Sequence, residues 1–210
     1  MNNHCPLCNS DSEIFYQFKK RLYFQCKNCS GIFVDKKLIP NKEAEIKRYN
    51  EHKNDVNDKN YQQFVSPITS AVMSDFSQED YGLDFGAGTG PVISKVLKDN
   101  KFNIVLYDPF FHNTPSLLKT KYDYIACCEV IEHFYNPPKE FNLLKNLLLE
   151  NGKLYCMTYL YDESIDFHNW NYKNDLTHVF IYHANTIHWI KKYFGFSKVL
   201  IEGRLITFYQ

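Results

Sequence analysis

The chain has 210 residues, enough for one α/β domain and a small appended module. Its 24 basic and 24 acidic side chains balance to a formal net charge of zero, so we expect no large basic face for long duplex nucleic acid. No apolar run reaches the roughly 18 residues of a membrane-spanning helix, and the first residues lack the pattern of a secretory signal. Seven cysteines in such a chain favour a reducing compartment, and we expect a cytoplasmic protein without a membrane partner.

Two C-x2-C pairs stand near the N-terminus. Cys5 and Cys8 form the first pair, Cys26 and Cys29 form the second, and 17 residues separate the pairs. Four thiolates at this spacing can close a tetrahedral zinc site that leaves no position for a catalytic water. Apolar runs on either side of a basic turn at residues 19–21 predict two short strands between the pairs. We therefore expect residues 1–40 to form a zinc ribbon with a structural ion; four ordinary thiols are the alternative.

A polar, helix-rich linker follows the predicted ribbon. The sequence predicts a helix over residues 42–51, a loop around 54–60 and an amphipathic helix over 61–75 that is broken or begins near Pro67. Helices in this position, before a nucleotide-binding core, often cover the pocket. We expect residues 41–78 to be a helical linker or lid, and simple structural packing is an equally good interpretation.

A glycine-rich turn is the central motif of the remaining chain. An apolar run at residues 81–85 leads into the sequence GAGTG at 86–90, and a helical run at 92–97 follows. A strand, a glycine-rich turn and a helix N-terminus together form a pocket where backbone can approach a nucleotide-like ligand. The turn alone is a weak motif, so the later elements must show which ligand it holds.

A second strand, at residues 102–107, ends in Asp108, which lies 22 residues after Gly86. A carboxylate at this point can hold the two hydroxyls of a ribose. The alternative is an aspartate that only begins a turn before Pro109.

Strands and helices alternate through the rest of the chain, which predicts a doubly wound, mostly parallel sheet. The further predicted elements are a strand at 122–128, a helix at 139–149, a strand at 153–158, a helix at 184–193 and a terminal hairpin of 197–201 with 205–209. We expect the core domain to span residues 79–210.

Three ionisable residues, Glu129, Glu132 and His133, directly follow the strand at 122–128. If they begin a helix, all three share one face at about 100° per residue. Two carboxylates and an imidazole suit Mg²⁺ or another divalent cation, and His178 is available as a fourth ligand. Without metal, the same residues can cap the helix and line the pocket, and His133 or His178 can act as a general base.

Four runs of sequence resemble the class I S-adenosylmethionine-dependent methyltransferases in order and spacing: LDFGAGTG, LYDPF, YDYIACCEVIEH and LLLENGKLYCMT. The resemblance covers about residues 60–210 and is closest to the branch with an E-V-I-E-H segment, which includes the ubiquinone-biosynthesis O-methyltransferases. The E-x-x-E-H element followed by Thr177-His178 also resembles the small-RNA 2′-O-methyltransferases. In both groups a metal holds the oxygens of a vicinal diol or catechol-like acceptor.

This resemblance implies a Rossmann-like, mostly parallel sheet with helices on both faces, and S-adenosylmethionine as cofactor. The implied cofactor-binding residues are Asp84, Gly86, Ala87, Gly88, Asp108, Pro109, Phe110 and Cys128. The sequence departs from the family after the second strand, because only residues 110–121 stand where about 30 residues are usual. We therefore expect a fold shortened after strand 2, without the usual acidic contact to adenine, and we predict stacking of Phe110 or Phe111 on that ring.

The sequence thus predicts a methyltransferase that acts on a hydroxyl of a small molecule, with Glu129, Glu132, His133 and His178 as catalytic or cation-binding residues. Two alternatives remain at this point. One is an RNA or protein methyltransferase that uses the ribbon as a substrate reader, and the other is a non-catalytic module that only holds the cofactor. Four aromatic residues around His178 either form a wall for a planar acceptor or pack a structural insertion: Trp170, Tyr172, Phe180 and Tyr182.

Overall fold

The computed structural model describes residues 3–18, 20–51 and 54–210. Lys19, in the predicted turn of the ribbon, lies outside the described residues. The strands are β1 (Ser12–Phe18), β2 (Arg21–Cys26), β3 (Ile32–Val34), β4 (Tyr81–Phe85), β5 (Asn103–Tyr107), β6 (Tyr122–Cys128), β7 (Leu148–Met157), β8 (Leu160–Tyr161), β9 (Phe180–His183), β10 (Lys198–Glu202) and β11 (Leu205–Tyr209). The α-helices are α1 (Lys42–Asn50), α2 (Lys59–Phe64), α3 (Ser66–Asp75), α4 (Val92–Asp99), α5 (Pro137–Leu147) and α6 (Ala184–Phe194).

The larger sheet has the strand order β10-β11-β7-β6-β4-β5 within the described part of the chain. Strands β5, β4, β6 and β7 run parallel, and the hairpin of β10 and β11 adds two antiparallel strands next to β7. The predicted Rossmann-like, mostly parallel sheet and the terminal hairpin are therefore confirmed.

Helices cover both faces of this sheet, as the side chains of β6 show. Ile125 and Cys127 point into a core that contains residues of α5 and α6. The alternate residues Tyr124 and Ala126 point into a second core, with residues of α3 and α4. Successive side chains of a strand face opposite ways, so an almost continuous apolar run indicates a strand buried on both sides.

The sheet is shortened after its second strand, as predicted. Strand β5 lies at the edge, and a reverse turn pairs Asp108 with His112 directly after it. A short 3-10 helix over Pro115–Lys119 then leads into β6. These residues leave no length for a further strand and helix.

The smaller sheet joins the ribbon to the core. The two predicted strands of the ribbon form an antiparallel pair, β1 with β2, and β3 extends it. Strand β3 then pairs with β9, a strand of the core that lies far along the chain, through Ile32 with Ile181 and Phe33 with Phe180. The sheet order β1-β2-β3-β9-β8 therefore runs from the ribbon into the core.

One predicted helix differs from the observed helix at both ends, and one predicted helix break is confirmed. The helix predicted at 139–149 begins at Pro137, where proline suits the first helical position and the Asn136 side chain accepts from the Lys139 amide. It ends at Leu147 because Leu148 already begins β7. The break predicted near Pro67 is confirmed, because the helical run over residues 61–75 is divided between α2 and α3, which meet at Val65. None of the described helices is both long and apolar enough to cross a membrane.

Candidate active site

The glycine-rich turn leaves β4 beside the end of β5. Gly86 and Gly88 have φ angles of 78° and 61°, in the left-handed region that glycine adopts without steric cost. The Gly86 amide donates to the Tyr107 carbonyl at 2.8 Å, which ties the turn to β5. A Cβ atom on Gly86 would lie 2.5 Å from Cγ2 of Val130. The close packing and the left-handed backbone therefore both require glycine at position 86.

Asp108 shapes the end of β5 through its carboxylate. Its Oδ2 accepts from the Gly88 amide at 3.0 Å, and its Oδ1 accepts from the amides of Phe110 at 2.8 Å and Phe111 at 3.0 Å. A carboxylate has about four acceptor positions, so capacity for a further donor remains beside the glycine turn. Asp108 thus links the glycine turn to the loop that follows β5.

Asp84, on β4, is fully buried. Its Oδ2 accepts from the Ser94 hydroxyl at 2.9 Å and from the Ser94 amide at 3.3 Å, which connects the strand to α4. Burial raises the pKa of Asp84 to about 6, and the two bonds from Ser94 act in the opposite direction.

A small cavity of about 30 Å³ lies at the glycine turn. Four predicted cofactor-binding residues line it: Asp84, Gly86, Ala87 and Cys128. The other four stand at the glycine turn or follow β5: Gly88, Asp108, Pro109 and Phe110. The chain from Asn54 to Val65 covers this cavity, because Tyr61 and Val65 line it and a Cβ atom on Gly90 would lie 2.1 Å from the Asn54 carbonyl oxygen.

Three of the four predicted catalytic residues come together. One ligand atom from each of Glu132, His133 and His178 lies within 4.8 Å of the other two. The ring Nδ1 of His133 is 2.9 Å from the Thr177 carbonyl oxygen, and Nδ1 of His178 is 2.7 Å from the Tyr172 carbonyl oxygen. A carbonyl only accepts, so each Nδ1 must carry a proton and donate it. In the neutral form of each ring, Nε2 is then the nitrogen with a free lone pair.

Burial keeps both imidazoles neutral. Burial and, to a smaller extent, the neighbouring His133 together lower the pKa of His178 to about 4. Burial likewise lowers the pKa of His133 below its ordinary value. Both rings are therefore neutral at pH 7 and can bind a cation or accept a proton.

Glu132 carries the carboxylate of this cluster and has no exposed surface. Its Oε1 accepts from the Tyr172 hydroxyl at 2.8 Å, and that hydroxyl lies 2.6 Å from the Thr158 hydroxyl. Its Oε2 has no hydrogen-bond partner among the described residues. Burial raises the pKa of Glu132 to about 7. An unpartnered buried carboxylate oxygen is costly, and it suits a site that holds a ligand.

The structure corrects the expectation that Glu129 shares a helical face with Glu132 and His133. Glu129 is not helical: its φ is 51°, and its amide donates to the Met157 carbonyl, so it still follows the sheet edge. Only a 3-10 turn, Ile131–His133, forms beyond it. The Glu129 carboxylate contacts Nη2 of Arg204 at 2.5 Å and is not part of the cluster of Glu132, His133 and His178.

A cavity of about 830 Å³ opens beside His178. Tyr159, Trp170 and Tyr172 form its aromatic wall, and three amide side chains add polar groups: Asn169, Asn171 and Asn174. The ring centroids of Trp170 and Tyr172 are 4.9 Å apart, and those of Tyr172 and His178 are 4.2 Å apart. Four aromatic residues were predicted either to form a wall or to pack a structural insertion. Trp170 and Tyr172 line the cavity, whereas Phe180 and Tyr182 are buried in the core.

Helix α1 closes one side of this cavity. Nε and Nη2 of Arg48 contact Oδ2 of Asp175 at 3.0 and 2.8 Å. Burial alone would raise the pKa of Asp175, but hydrogen bonds from Thr177 and Arg48 hold it below its ordinary value. The neighbouring Tyr49 places its ring 5.5 Å from the ring of His133 and 6.0 Å from that of Phe110. One helix thus contacts the histidine cluster, the larger cavity and the loop after β5.

The four N-terminal cysteines also come together, with one sulfur from each within 4.8 Å of the others. The Sγ atoms of Cys5 and Cys29 are 3.7 Å apart, and those of Cys8 and Cys26 are 3.3 Å apart. Four sulfurs at about 2.3 Å from one zinc ion would be about 3.8 Å apart. The backbone amides of residues 28 and 29 each donate to the Cys26 sulfur at 3.4 Å. Such hydrogen bonds stabilise a sulfur in its thiolate form.

The sequence prediction missed several residues of the site. Arg204, in the turn between β10 and β11, carried no local signal, yet its guanidinium carbon lies 4.0 Å from the ring centroid of Tyr159 and 4.5 Å from that of Phe64. In the sequence, Arg48 is one of several charges in a predicted polar helix, and nothing there indicates its contact with Asp175. Thr158 stood at the end of a predicted strand, a position that could have indicated the site, since ligands of such sheets bind beyond the strand ends.

The comparison with solved structures shows the fold. Human N-acetylserotonin methyltransferase, solved in complex with SAM, gives a TM-score of 0.53 at 11% identity, over 71% of this chain and 53% of its own. An O-methyltransferase family protein from Burkholderia thailandensis gives 0.50 at 11% identity, over 70% of this chain and 56% of its own. The chain therefore spans about half the length of these proteins.

The comparison with protein-family models shows which family the chain belongs to. None of the curated proteins compared with the chain matches it significantly. A family model described as a methyltransferase domain, however, matches residues 48–201. That span includes the glycine turn, the Glu132–His133–His178 cluster and most of the larger sheet. The chain therefore belongs to the methyltransferase-domain family.

Proposed function

We propose that this protein transfers a methyl group from S-adenosylmethionine to a hydroxyl group of a small planar acceptor, with a divalent cation at Glu132, His133 and His178. One observation carries the proposal: two neutral imidazoles and a buried carboxylate converge beside a cavity with an aromatic wall.

The donor set suits a divalent cation. Each histidine donates its Nδ1 proton to a backbone carbonyl, which fixes the ring and leaves Nε2 for a ligand, as metal-binding histidines generally do. The unpartnered Oε2 of Glu132 supplies an oxygen. Two nitrogens and one carboxylate oxygen suit a divalent ion such as Mn²⁺ and leave positions for oxygens of the acceptor. Glu129 is paired with Arg204, so we do not assign it to the cation.

The main contribution of the chain's own residues is to position the acceptor and the Glu132 carboxylate. Transfer from a sulfonium is an in-line displacement, for which an enzyme supplies proximity and orientation. Tyr172 and Thr158 hold Glu132 in place, while Trp170 and Tyr159 offer ring faces to a planar acceptor. Glu132, His133 and His178 would hold the divalent cation, which when bound would lower the pKa of an acceptor hydroxyl.

The glycine turn is the cofactor side of the proposed site. We assign the eight residues around it to S-adenosylmethionine, with Asp108 toward the ribose and Phe110 toward the adenine. Pockets for ligands of this size commonly have about 300–1,000 Å³, whereas the cavity here has about 30 Å³. The covering chain at residues 54–65 must therefore move when the cofactor enters.

The cysteine cluster supports a structural zinc ion. The sulfur separations of 3.3 and 3.7 Å approach those of a tetrahedral site, and all four ligands come from protein. We assign no catalytic step to this ion.

A radiolabelled-methyl screen tests the proposed reaction. The purified chain is incubated with labelled S-adenosylmethionine and a cell extract separated into small molecules, RNA and protein. Label in the small-molecule fraction, lost with excess EDTA and restored by Mn²⁺, is expected. Label only in RNA or protein would favour the ribbon as a substrate reader, and cofactor binding without any transfer would favour a non-catalytic module.

Alanine variants test the residues. Glu132→Ala, His133→Ala and His178→Ala should each abolish Mn²⁺-stimulated transfer, whereas Glu202→Ala, on an exposed position of β10, should not. Full activity in excess EDTA would exclude the cation and would leave His133 or His178 as a general base.

A further inference from the structure

The ribbon holds, through hydrogen bonds, the part of the chain that completes the cation site. Arg21, at the start of β2, donates from Nη2 to the His178 carbonyl at 2.8 Å and to the Leu176 carbonyl at 3.4 Å. Val34, in β3, donates its amide to the Val179 carbonyl at 3.1 Å. Residues 175–179, which we call the ligand segment, are therefore bound to the ribbon along one side.

The other side of the ligand segment is bound to the cation site. The Thr177 carbonyl accepts from Nδ1 of His133. The Val179 amide donates to the Glu132 carbonyl at 3.0 Å. His178 itself belongs to the segment. All three proposed cation ligands therefore depend on the position of these five residues.

The ribbon is also packed into the core rather than exposed as a separate module. Phe24, Phe33 and Phe180 are buried, with ring centroids 5.8 and 6.4 Å apart along the series. A Cβ atom on Gly31 would lie 2.4 Å from the Phe180 ring, so the strands approach as closely as glycine permits. Thr186, in α6, donates its hydroxyl to the Cys29 carbonyl at 2.8 Å. The second cysteine pair and the residues after it are therefore held directly against β9 and the start of α6.

We propose that the zinc ribbon is a positioning element for the cation site, and that Arg21 is its positioning residue for His178. Arg21 donates to backbone carbonyls of the ligand segment and not to the side chains of the cluster, so it acts through the backbone that carries His178. The inference rests on the proposed cation site, and it gives the ribbon a role in assembling that site instead of reading a macromolecular substrate.

Binding of Mn²⁺ to the full-length, zinc-loaded chain tests the inference. Arg21→Met removes the donors, Arg21→Lys keeps the charge, and Lys27→Met removes an exposed ribbon cation that pairs only with Glu13 among the described residues. We expect Arg21→Met to weaken Mn²⁺ binding about tenfold, as residues that orient metal ligands do. Arg21→Lys should recover part of the loss, and affinity for S-adenosylmethionine and the zinc content should not change.

Hydrogen exchange at the Val179 amide supplies a readout that does not depend on Mn²⁺. We expect faster exchange in Arg21→Met and wild-type exchange in Lys27→Met. Equal exchange and equal Mn²⁺ affinity in these two variants would overturn the inference. If the wild type binds no Mn²⁺, the proposed cation fails, and the exchange comparison alone still decides whether the ribbon positions the ligand segment.

Discussion

The variant Glu132→Gln tests whether the Glu132 carboxylate stabilises the fold or instead destabilises it and serves to bind a ligand. Glu132 is fully buried, and burial raises its pKa from 4.5 to about 7. The unfolded chain loses this proton near pH 4.5 and the folded chain near pH 7, so the folded state binds more protons between these values. Stability therefore falls as pH rises through this window, and the loss is complete above about pH 7.

The size of the loss follows from the rise in pKa. At about 1.4 kcal/mol per pKa unit, the ionised carboxylate costs about 3 kcal/mol of unfolding free energy at pH 8. Glutamine has no such cost, and its amide oxygen can still accept from Tyr172. We expect the Glu132→Gln chain, without cation, to be more stable than the wild type at pH 8 by about 1–3 kcal/mol, and nearly equal to it at pH 4.5.

Urea unfolding with and without Mn²⁺ measures both effects. A cation present at about a hundredfold excess over its dissociation constant stabilises the wild type by about 2.7 kcal/mol. The Glu132→Gln chain should gain almost nothing, while Glu202→Gln, an exposed control, should behave as the wild type. A Glu132→Gln chain that is destabilised equally at both pH values, or that Mn²⁺ still stabilises, would refute the reasoning.

Three further predictions concern the cofactor turn and the ribbon. Phe110→Ala or Phe111→Ala should weaken S-adenosylmethionine binding at least about tenfold by calorimetry because of lost stacking; unchanged affinity in both variants would exclude the stacking. Gly86→Ala should lower the unfolding free energy by about 2 kcal/mol in urea, since its Cβ atom would meet Val130 at 2.5 Å and its φ is 78°; a loss under about 0.5 kcal/mol would contradict the packing. Cys26→Ser should reduce the zinc content, measured by elemental analysis, from one ion per chain to near zero, and full zinc occupancy would contradict a four-sulfur site.

The elements that the sequence predicted well carry their pattern locally. Strands β4 and β6 are mainly apolar runs, and the glycines of the turn after β4 appear in the sequence itself. The shortened region after β5 followed from counting residues 110–121. The two cysteine pairs predicted a shared site from spacing alone, and their sulfurs do converge.

The misplaced elements depend on contacts between distant parts of the chain. Glu129 stays at the sheet edge because its amide donates to Met157 and its carboxylate pairs with Arg204, two partners that no local pattern reveals. The start of α5 at Pro137 is an exception, because Pro137 and Pro138 are a local signal that favours a helix start there. The pairing of β3 with β9 joins residues about 150 positions apart, which no periodicity could indicate.

The cluster itself was predicted only in part. Glu132 and His133 are neighbours in sequence, whereas His178 lies far along the chain and reaches the cluster through the ligand segment. The orientation of the rings was not predictable, because it depends on the carbonyls of Thr177 and Tyr172. The large cavity was equally hidden, since α1 and the loop at 169–178 come together only in the fold.

The cation site is the central claim, and an anomalous-difference map tests it most directly. Crystals of the chain grown with S-adenosylhomocysteine and Mn²⁺ are measured at the manganese absorption edge. We expect one peak with Nε2 of His133, Nε2 of His178 and a carboxylate oxygen of Glu132 at about 2.1–2.2 Å. A map with no peak at these three residues, from crystals grown with Mn²⁺ at millimolar concentration, would contradict the proposed function.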